Sequence, residues 1–428
     1  MTNLRKYNSV DRLIEEVYSK VQNTRLADVF KNCFCDTLNK TIEYADDGTA
    51  FVITGDIPAM WLRDSVCQLR PYLVLAKEDT AIQELMEAVI KKQVMCILED
   101  PYANAFNSCA NGNGFQDDLT KMKPTLWERK YEIDSLCFPI QFSYLYWKNT
   151  KKTTHFTDEW KKAVETMISV FRTEQYHESK SDYRFQRLNC PYTDTLSRDG
   201  KGALVKEGIG LVWSGFRPSD DACVYGYLIP SNMLLTVVLD YICEIAKEVY
   251  KDNDLASRAK SFSTEIRNAI EGFAIVPSGE KPYYAYEVDG FGQYLIMDDA
   301  NLPSLLAMPY IGYCDHDDEK YLNTKEVILS EANPYYYKGS DIEGIGSPHT
   351  PSNYVWHISL AMEGLVAKTK EEKYRVLQKL CATDGGTNMM HEGVYVNDPN
   401  IFTRPWFSWA NAMYSELLLD YLGYQIIK

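Results

Sequence analysis

Acid–base chemistry on a covalent bond needs two carboxyl groups held on either side of it. This sequence sets several acids beside large polar and aromatic residues. Gly55–Ser65 reads GDIPAMWLRDS and carries Asp56, Trp61, Arg63 and Asp64. LWERKYEIDS adds Glu128, Glu132 and Asp134, and SGFRPSDDACVYGYLIPSN adds Phe216, Arg217 and the adjacent Asp220 and Asp221. Asp298 and Asp299 stand in LIMDDANLPS, and His349 in IGSPHTPSNYVW. His391, Glu392, Asp398, Arg404 and Trp406 stand in MMHEGVYVNDPNIFTRPWFSWAN.

An acid at a helix start usually caps it, because a carboxylate satisfies free backbone N–H groups and the helix dipole. Asp298 and Asp299 fit that role, since they lead into an apolar run. Of Asp220 and Asp221, which follow Arg217-Pro218, only one can cap well, so the other must point elsewhere. Glu392 is followed by Gly393 in a long loop with no helix to cap, which marks it as a candidate for chemistry. Glu128, Glu132 and Asp134 read as buried supports, because YEIDSLCF sets two acids beside an apolar stripe. Arg217, His349, His391 and Arg404 are polar candidates for a binding site, each equally able to pair with a neighbouring acid.

Other chemistries find no support. No GxSxG elbow, P-loop or dinucleotide glycine fingerprint is present. The six histidines show neither HExxH nor paired spacing, so no metal site is expected. The pairs DDACV and DDANL lack the third acid that helical prenyl-transfer enzymes use for metal. A net charge of −15 without a basic block argues against nucleic acid as a partner. Eleven scattered cysteines, an odd number, read as free thiols in a reducing cytosol. The first residues lack the apolar run of a signal peptide, and no stretch of about 18 apolar residues predicts a membrane span. A cytoplasmic protein is expected.

The elements that must position these residues are helical. After a leading helix over 9–21, the periodicity predicts helices over 24–43, 60–77, 78–100, 130–149, 157–176, 220–250, 253–274, 298–311, 318–331, 351–369, 370–384 and 404–423. TIEYADDGTAFVITG reads as a β-hairpin turning at Asp46-Asp47-Gly48. Short and long connections alternate, so antiparallel neighbours put every long loop at one end. Six helical hairpins closing in a ring predict an all-α (α/α)6 barrel in one domain, 1–428, with every polar cluster at the mouth of one funnel.

GDIPAMWLRDS, RPSDDACVYGYLIPSNM, DDANLPSLLAMPY and MHEGVYVNDPNIFTRPWFSWANAMYSELL together resemble glycoside hydrolase family 125, from about residue 25 to the C-terminus. The bacterial members, particularly those of Gram-positive host-associated species, are the most similar. The resemblance implies an (α/α)6 barrel and an inverting exo-α-1,6-mannosidase that needs no metal or other cofactor. Its substrates would be α-1,6-linked manno-oligosaccharides from N-glycans, with no nucleic acid, membrane or obligate protein partner.

The family's general acid falls on the Asp-Asp pair, here placed on Asp220 with Asp221 as the alternative, and its general base falls on Glu392. An ionised Asp221 beside it would help Asp220 keep its proton. Trp61, Arg63 and Asp64 are then expected to hold the terminal mannose. Arg217, His349, His391, Arg404 and Asp221 would be further binding residues, and Trp61, Phe216 and Trp406 bulky walls closing the pocket. The rivals are another (α/α)6 glycosidase, acting on glucosides or unsaturated uronides, and a non-catalytic sugar-binding toroid. Arginines facing an open site would favour a uronate, and a neutral lining would favour mannose.

Overall fold

A computed structural model describes residues 7–279 and 281–427. Residues 1–6, where the stretch read for a signal peptide begins, lie outside the described residues, as do the two ends of the expected domain span 1–428. Thirteen helices are labelled in chain order: α1 (Asn8–Lys20), α2 (Thr24–Asp36), α3 (Leu62–Leu69), α4 (Thr80–Glu99), α5 (Ile133–Thr150), α6 (Asp158–Glu174) and α7 (Ile229–Ile245). They continue as α8 (Asn253–Phe273), α9 (Met308–Ile311), α10 (Glu319–Ile328), α11 (His357–Leu365), α12 (Lys370–Ala382) and α13 (Ser408–Tyr421). The predicted hairpin is present as β1 (Ile42–Tyr44) and β2 (Ala50–Val52), with Glu43 opposite Phe51.

From α2 onward the helices alternate in character. Those with even numbers each carry a side-chain cap: Asn23, Asp79, Thr157, Asp252, Asp318, and the capping box of Thr369 with Glu372. Odd-numbered helices have no side-chain cap. Backbone carbonyls of neighbouring loops take the first N–H groups of three of them: Leu62 N donates to Asn104 O, Ile229 N to Tyr286 O and His357 N to Glu392 O. This satisfies orphan donors without using an acid.

The odd helices pack on one another, α3 with α5, α5 with α7, α7 with α9, α11 with α13, and α13 with α3. Helix α2 covers α13, α4 covers α5, α8 covers α7 and α12 covers α11. Ile229–Tyr250 is apolar and long enough to cross a membrane by composition, but 83% of that window is buried inside the protein, which makes it a core helix.

Several odd helices start later than the periodicity predicts, because very short strands precede them. Strand β3 (Met60–Trp61) leads directly into α3 and forms a sheet with β4 (Ala105–Phe106) and β5 (Leu126–Glu128). Strand β6 (Tyr227–Leu228) leads into α7. β7 (Tyr354–Trp356) leads into α11 and pairs with β8 (Gly393–Tyr395). The helix expected over 298–311 is reduced to α9, which starts at Met308. Pro303 removes a helical donor in the segment before it. Asp298 there accepts Leu305 N and Leu306 N at 2.8 and 2.9 Å, which satisfies a loop and not the helix it was expected to cap. Burial pushes its carboxyl up to about 8 against the pull of those two N–H groups.

The first and last long loops are joined through backbone. Gly55 bridges Phe407, Asp56 N donates to Trp406 O at 3.3 Å, and Ser408 N donates to Thr54 O at 3.1 Å. Gly55 has φ of +129°, and a Cβ there would stand 2.6 Å from Trp406 O. Gly55→Ala is therefore expected to destabilise the fold by about 1–3 kcal/mol, read as a lower midpoint in urea, with a parallel fall in activity because this junction positions Arg404.

Candidate active site

The long connections converge on a cavity of about 310 Å³ at the N-terminal end of α3. Its lining draws on Trp61, Arg63 and Asp64 from the first junction, Ser219 and Asp220 from the third, and Asn301, His349 and Trp356 from later ones. Glu392, Arg404 and Phe407 from the last long connection and Trp409 from the start of α13 complete it. A larger cavity of about 550 Å³ surrounds Arg70 at the other end of α3. Its charges are matched, with Arg70 Nε on Glu416 at 2.8 Å, Lys373 on Asp420 and Lys368 on Asp317. The smaller cavity differs in chemistry.

Arg63 is 2% exposed and organises one wall. Its Nη1 donates to Glu132 Oε2 at 2.7 Å and Asp134 Oδ2 at 2.9 Å, and its Nη2 reaches Asp220 Oδ1 at 3.5 Å. Its Nε stands 3.5 Å from Asp64 Oδ2 without a hydrogen bond. Burial drives the Asp64 carboxyl up to about 6, with Arg63 and Arg404 pulling it back and Asp220 adding to the rise. Asp64 is thus an ionised acceptor above that pH. Buried polar groups are nearly always paired, yet Trp61 Nε1, Arg63 Nε, Asp64 Oδ2 and Trp409 Nε1 are buried without partners. All four residues line this one cavity. Such groups fit a ligand rich in hydroxyls, which both donate and accept.

Asp220 and Asp221 diverge because Asp220 takes the left-handed conformation, with φ of +68°. Asp220 turns toward Arg63 and Asn104, whose Nδ2 lies 3.2 Å from its Oδ1, while Lys130 Nζ donates to its backbone carbonyl at 2.8 Å. Asp221 turns the other way, its Oδ1 3.1 Å from His349 Nδ1. The acid set beside Asp220 is therefore Glu132, which shares Arg63 and Asn104 Nδ2 with it, and not Asp221, whose ionised carboxylate was expected to help Asp220 keep its proton. Burial pushes Asp220 up, but Arg63, Lys130, the hydrogen bond with Glu132 and His349 bring it down to about 2. Burial holds Glu132 well above the carboxylate range despite Arg63, with Asp220 and Asp134 adding to the rise.

Glu392 precedes β8 on the far loop, with Thr403 Oγ1 donating to its Oε2 at 2.9 Å and Arg404 Nη1 3.8 Å from its Oε1. His349 lies near both carboxylates. Burial opposes its charge, but the hydrogen bond and charge of Asp221, followed by Glu392 and Asp220, raise it to about 9. It is a cation at neutral pH. Among the described residues no group of three or more His, Cys, Asp or Glu side chains is arranged to hold a metal ion.

Residues 23–419 match the family described as metal-independent alpha-mannosidase (GH125). The chain belongs to glycoside hydrolase family 125. It is a glycoside hydrolase acting on α-mannosides. A Streptococcus pneumoniae metal-independent α-mannosidase, solved in a non-productive complex with α-1,6-mannobiose, is 45% identical with a TM-score of 0.95, covering 97% of this chain and 99% of that one. The Schizosaccharomyces pombe meiotically up-regulated gene 157 protein is 40% identical, covering 97% of this chain and 86% of that protein. A bacterial glucoamylase bound to acarbose shares only the fold, at 11% identity and a TM-score of 0.59, over 93% of this chain and 56% of that one.

In this family member the structure brings Trp61, Arg63, Asp64, Asp220, His349, Glu392 and Arg404 together, and leaves four candidates outside the lining. Arg217 is buried with its Nε 2.5 Å from Glu287 Oε1. His391 stacks on Phe402 at 3.7 Å, and its backbone N donates to His357 Nδ1. Asp221 is hydrogen-bonded to His349 Nδ1 at 3.1 Å. Asp398 binds its own loop through Asn400 N at 2.9 Å. The expected walls Phe216 and Trp406 are replaced by Trp356, Phe407 and Trp409. Phe216 packs against Phe185, and Trp406 Nε1 donates to Asp36. Asn301, Trp356 and Trp409 stand in the polar motifs, but only chain tracing separates them from equally conspicuous neighbours.

These placements predict opposite phenotypes. Arg217→Ala leaves Glu287 buried without its cation and is expected to cost about 3–5 kcal/mol, measured by chemical denaturation. The His349 side chain is 40% exposed, so His349→Ala is expected to leave stability nearly unchanged while lowering kcat/KM for mannosides.

Proposed function

We propose that this chain is an inverting, exo-acting α-1,6-mannosidase that removes non-reducing terminal mannose from N-glycan-derived oligosaccharides, with Asp220 as general acid and Glu392 as general base. The observation that carries this reading is the meeting of these two carboxylates, from loops far apart in sequence, in one cavity lined by unpaired polar atoms.

Asp220 delivers a proton to the glycosidic oxygen while the C1–O bond breaks with its electron pair leaving on oxygen. Glu392 takes a proton from a water that attacks C1 from the opposite face. Inversion requires the two carboxyls to stand roughly 6.5–9.5 Å apart, leaving room for that water. Trp61, Arg63 and Asp64 hold the sugar hydroxyls in the −1 site, and the rings of Trp61, Trp356 and Trp409 close it into the dead end an exo enzyme needs.

A neutral sugar suits the charge pattern better than a uronate. Arg63 is matched in charge by Glu132 and Asp134, and Arg404 by Asp56, so neither guanidinium offers the cavity an unmatched positive charge. The α-1,6-mannobiose bound by the Streptococcus pneumoniae relative supports the linkage. We further read the alternating inner and outer helices as a closed (α/α)6 barrel forming one domain. Eleven unbonded thiols, seven of them buried, support a cytoplasmic location.

Leaving-group dependence tests the roles. Asp220→Asn is expected to lose about 10²–10⁴-fold in kcat on α-1,6-mannobiose yet retain most activity on a dinitrophenyl α-mannoside, which needs no acid. Glu392→Gln should lose comparably on both. If Asp221→Asn shows the selective loss and Asp220→Asn does not, the acid is misassigned; if the wild type binds mannobiose without cleaving it, the chain is a binding toroid.

A further inference from the structure

The two carboxylate oxygens of Glu392 are held differently. Thr403 Oγ1 donates to Oε2 at 2.9 Å, whereas among the described residues no donor lies within hydrogen-bond distance of Oε1. Arg404 Nη1, 3.8 Å from Oε1, stands beyond that range. Glu392 lines the cavity and Thr403 does not, so Thr403 reaches the site only through its neighbour. The reaction above gives it no task.

The direction of the Thr403 hydrogen follows from its surroundings. Gly393 N donates to Thr403 Oγ1 at 2.9 Å, so the hydroxyl oxygen already accepts. A threonine hydroxyl has one hydrogen to give. The acceptors within reach are Glu392 Oε2 and, at 3.5 Å, Gly393 O. That carbonyl already receives Thr403 N at 2.8 Å, and a carboxylate is the stronger acceptor. The hydrogen therefore points at Glu392.

Both residues are held by backbone on either side of this contact. Val394 and Phe402 form an antiparallel bridge, and Tyr395 N donates to Ile401 O at 2.9 Å, which sets Thr403 across from Gly393. Glu392 O accepts His357 N at 3.3 Å, at the start of α11. Arg404, directly after Thr403, takes a left-handed φ of +46° and is tied to Asp56 through its Nε at 3.0 Å.

We propose that Thr403 is a positioning residue that divides the two oxygens of the base: it ties down Oε2 and leaves Oε1 to take the proton from the attacking water. In that step a water O–H bond breaks as the Oε1–H bond forms, and the water oxygen bonds C1 as the bond from C1 to the leaving oxygen breaks. Asp220 supplies the leaving oxygen with its proton, so atoms and charge balance without another reactant. An untied carboxylate turns about its last bond and spreads its lone pairs over many directions, and a misplacement of about 1 Å can cost about 100-fold in rate. The inference rests on Glu392 being the general base.

Thr403→Val keeps the shape and removes the hydroxyl, while Thr403→Ser keeps the hydroxyl and removes the methyl. Thr403→Val is expected to lose about 10–100-fold in kcat with KM within about two-fold of wild type. The loss should be equal on α-1,6-mannobiose and on a dinitrophenyl α-mannoside, since both need the water deprotonated. Thr403→Ser should keep kcat within a few-fold. A residue that acts only through the base costs nothing further once the base is gone. In a Glu392→Gln background, Thr403→Val should therefore change the residual kcat on the dinitrophenyl substrate by less than about two-fold. A further loss there as large as in the wild-type background, an unchanged kcat in Thr403→Val alone, or an equal loss in Thr403→Ser overturns the proposal. If Glu392→Gln itself leaves kcat unchanged, the base assignment falls and the role of Thr403 with it; if Glu392→Gln is impaired and the two losses add, only the role of Thr403 falls. Should Thr403→Val not fold, as judged by circular dichroism, Thr403→Ala carries the same comparisons with the same outcomes.

Discussion

One buried guanidinium, that of Arg63, sets the conditions for everything else in the site. Taking several carboxylates out of water is costly, and it is tolerated only where a cation and hydrogen bonds compensate. Arg63 touches Glu132 and Asp134 at the start of α5, Asp220 on the loop before β6, and its own neighbour Asp64. It ties three segments together and decides how charge is divided among four acids. Its indispensability is a matter of geometry as much as charge, because the planar fork serves two carboxylates with one nitrogen and reaches a third with the other. A lysine would present a single point charge in its place.

The fold serves that cluster by keeping helix capping and catalysis apart. Outer helices are capped by their own side chains, as in the Thr369–Glu372 box. Inner helices start from two- or three-residue strands or from irregular loops, and neighbouring carbonyls take several of their first N–H groups. Asp64, Asp220 and Glu392 are thereby released from structural duty at the very end of the molecule where the long loops meet. The expectation that acids beside inner helices act as caps fails for this reason. Even Asp298, which does satisfy backbone N–H groups, does so within a loop.

Much of this was legible in the residues. Amphipathic outer helices such as α4 repeat one apolar face, and the Asp46-Asp47-Gly48 turn announces its hairpin. The motifs naming Trp61, Arg63, Asp64, His349, Glu392 and Arg404 lie where their long links predict. What periodicity could not reach were features set by distant contacts. The strands β3, β6 and β7 are too short to show alternation. The direction of each member of the Asp220–Asp221 pair follows from one left-handed residue, which the sequence does not mark. Arg217 and His391 are chemically suited to a sugar, but Glu287 and Phe402, remote in sequence, claim them first. Glu132 reads as a buried support until the loop of Asp220 is seen folded against it.

Asp220 and Glu392 are proposed to act from opposite faces of a mannoside bond in a single displacement. Proton NMR of the sugar first released from α-1,6-mannobiose tests it most directly, because mutarotation is slow enough for the initial anomer to be observed. β-Mannose is expected as the first product, with the α-anomer growing in later. Release of α-mannose first would mean retention through a covalent intermediate and rule out direct displacement by water activated at Glu392.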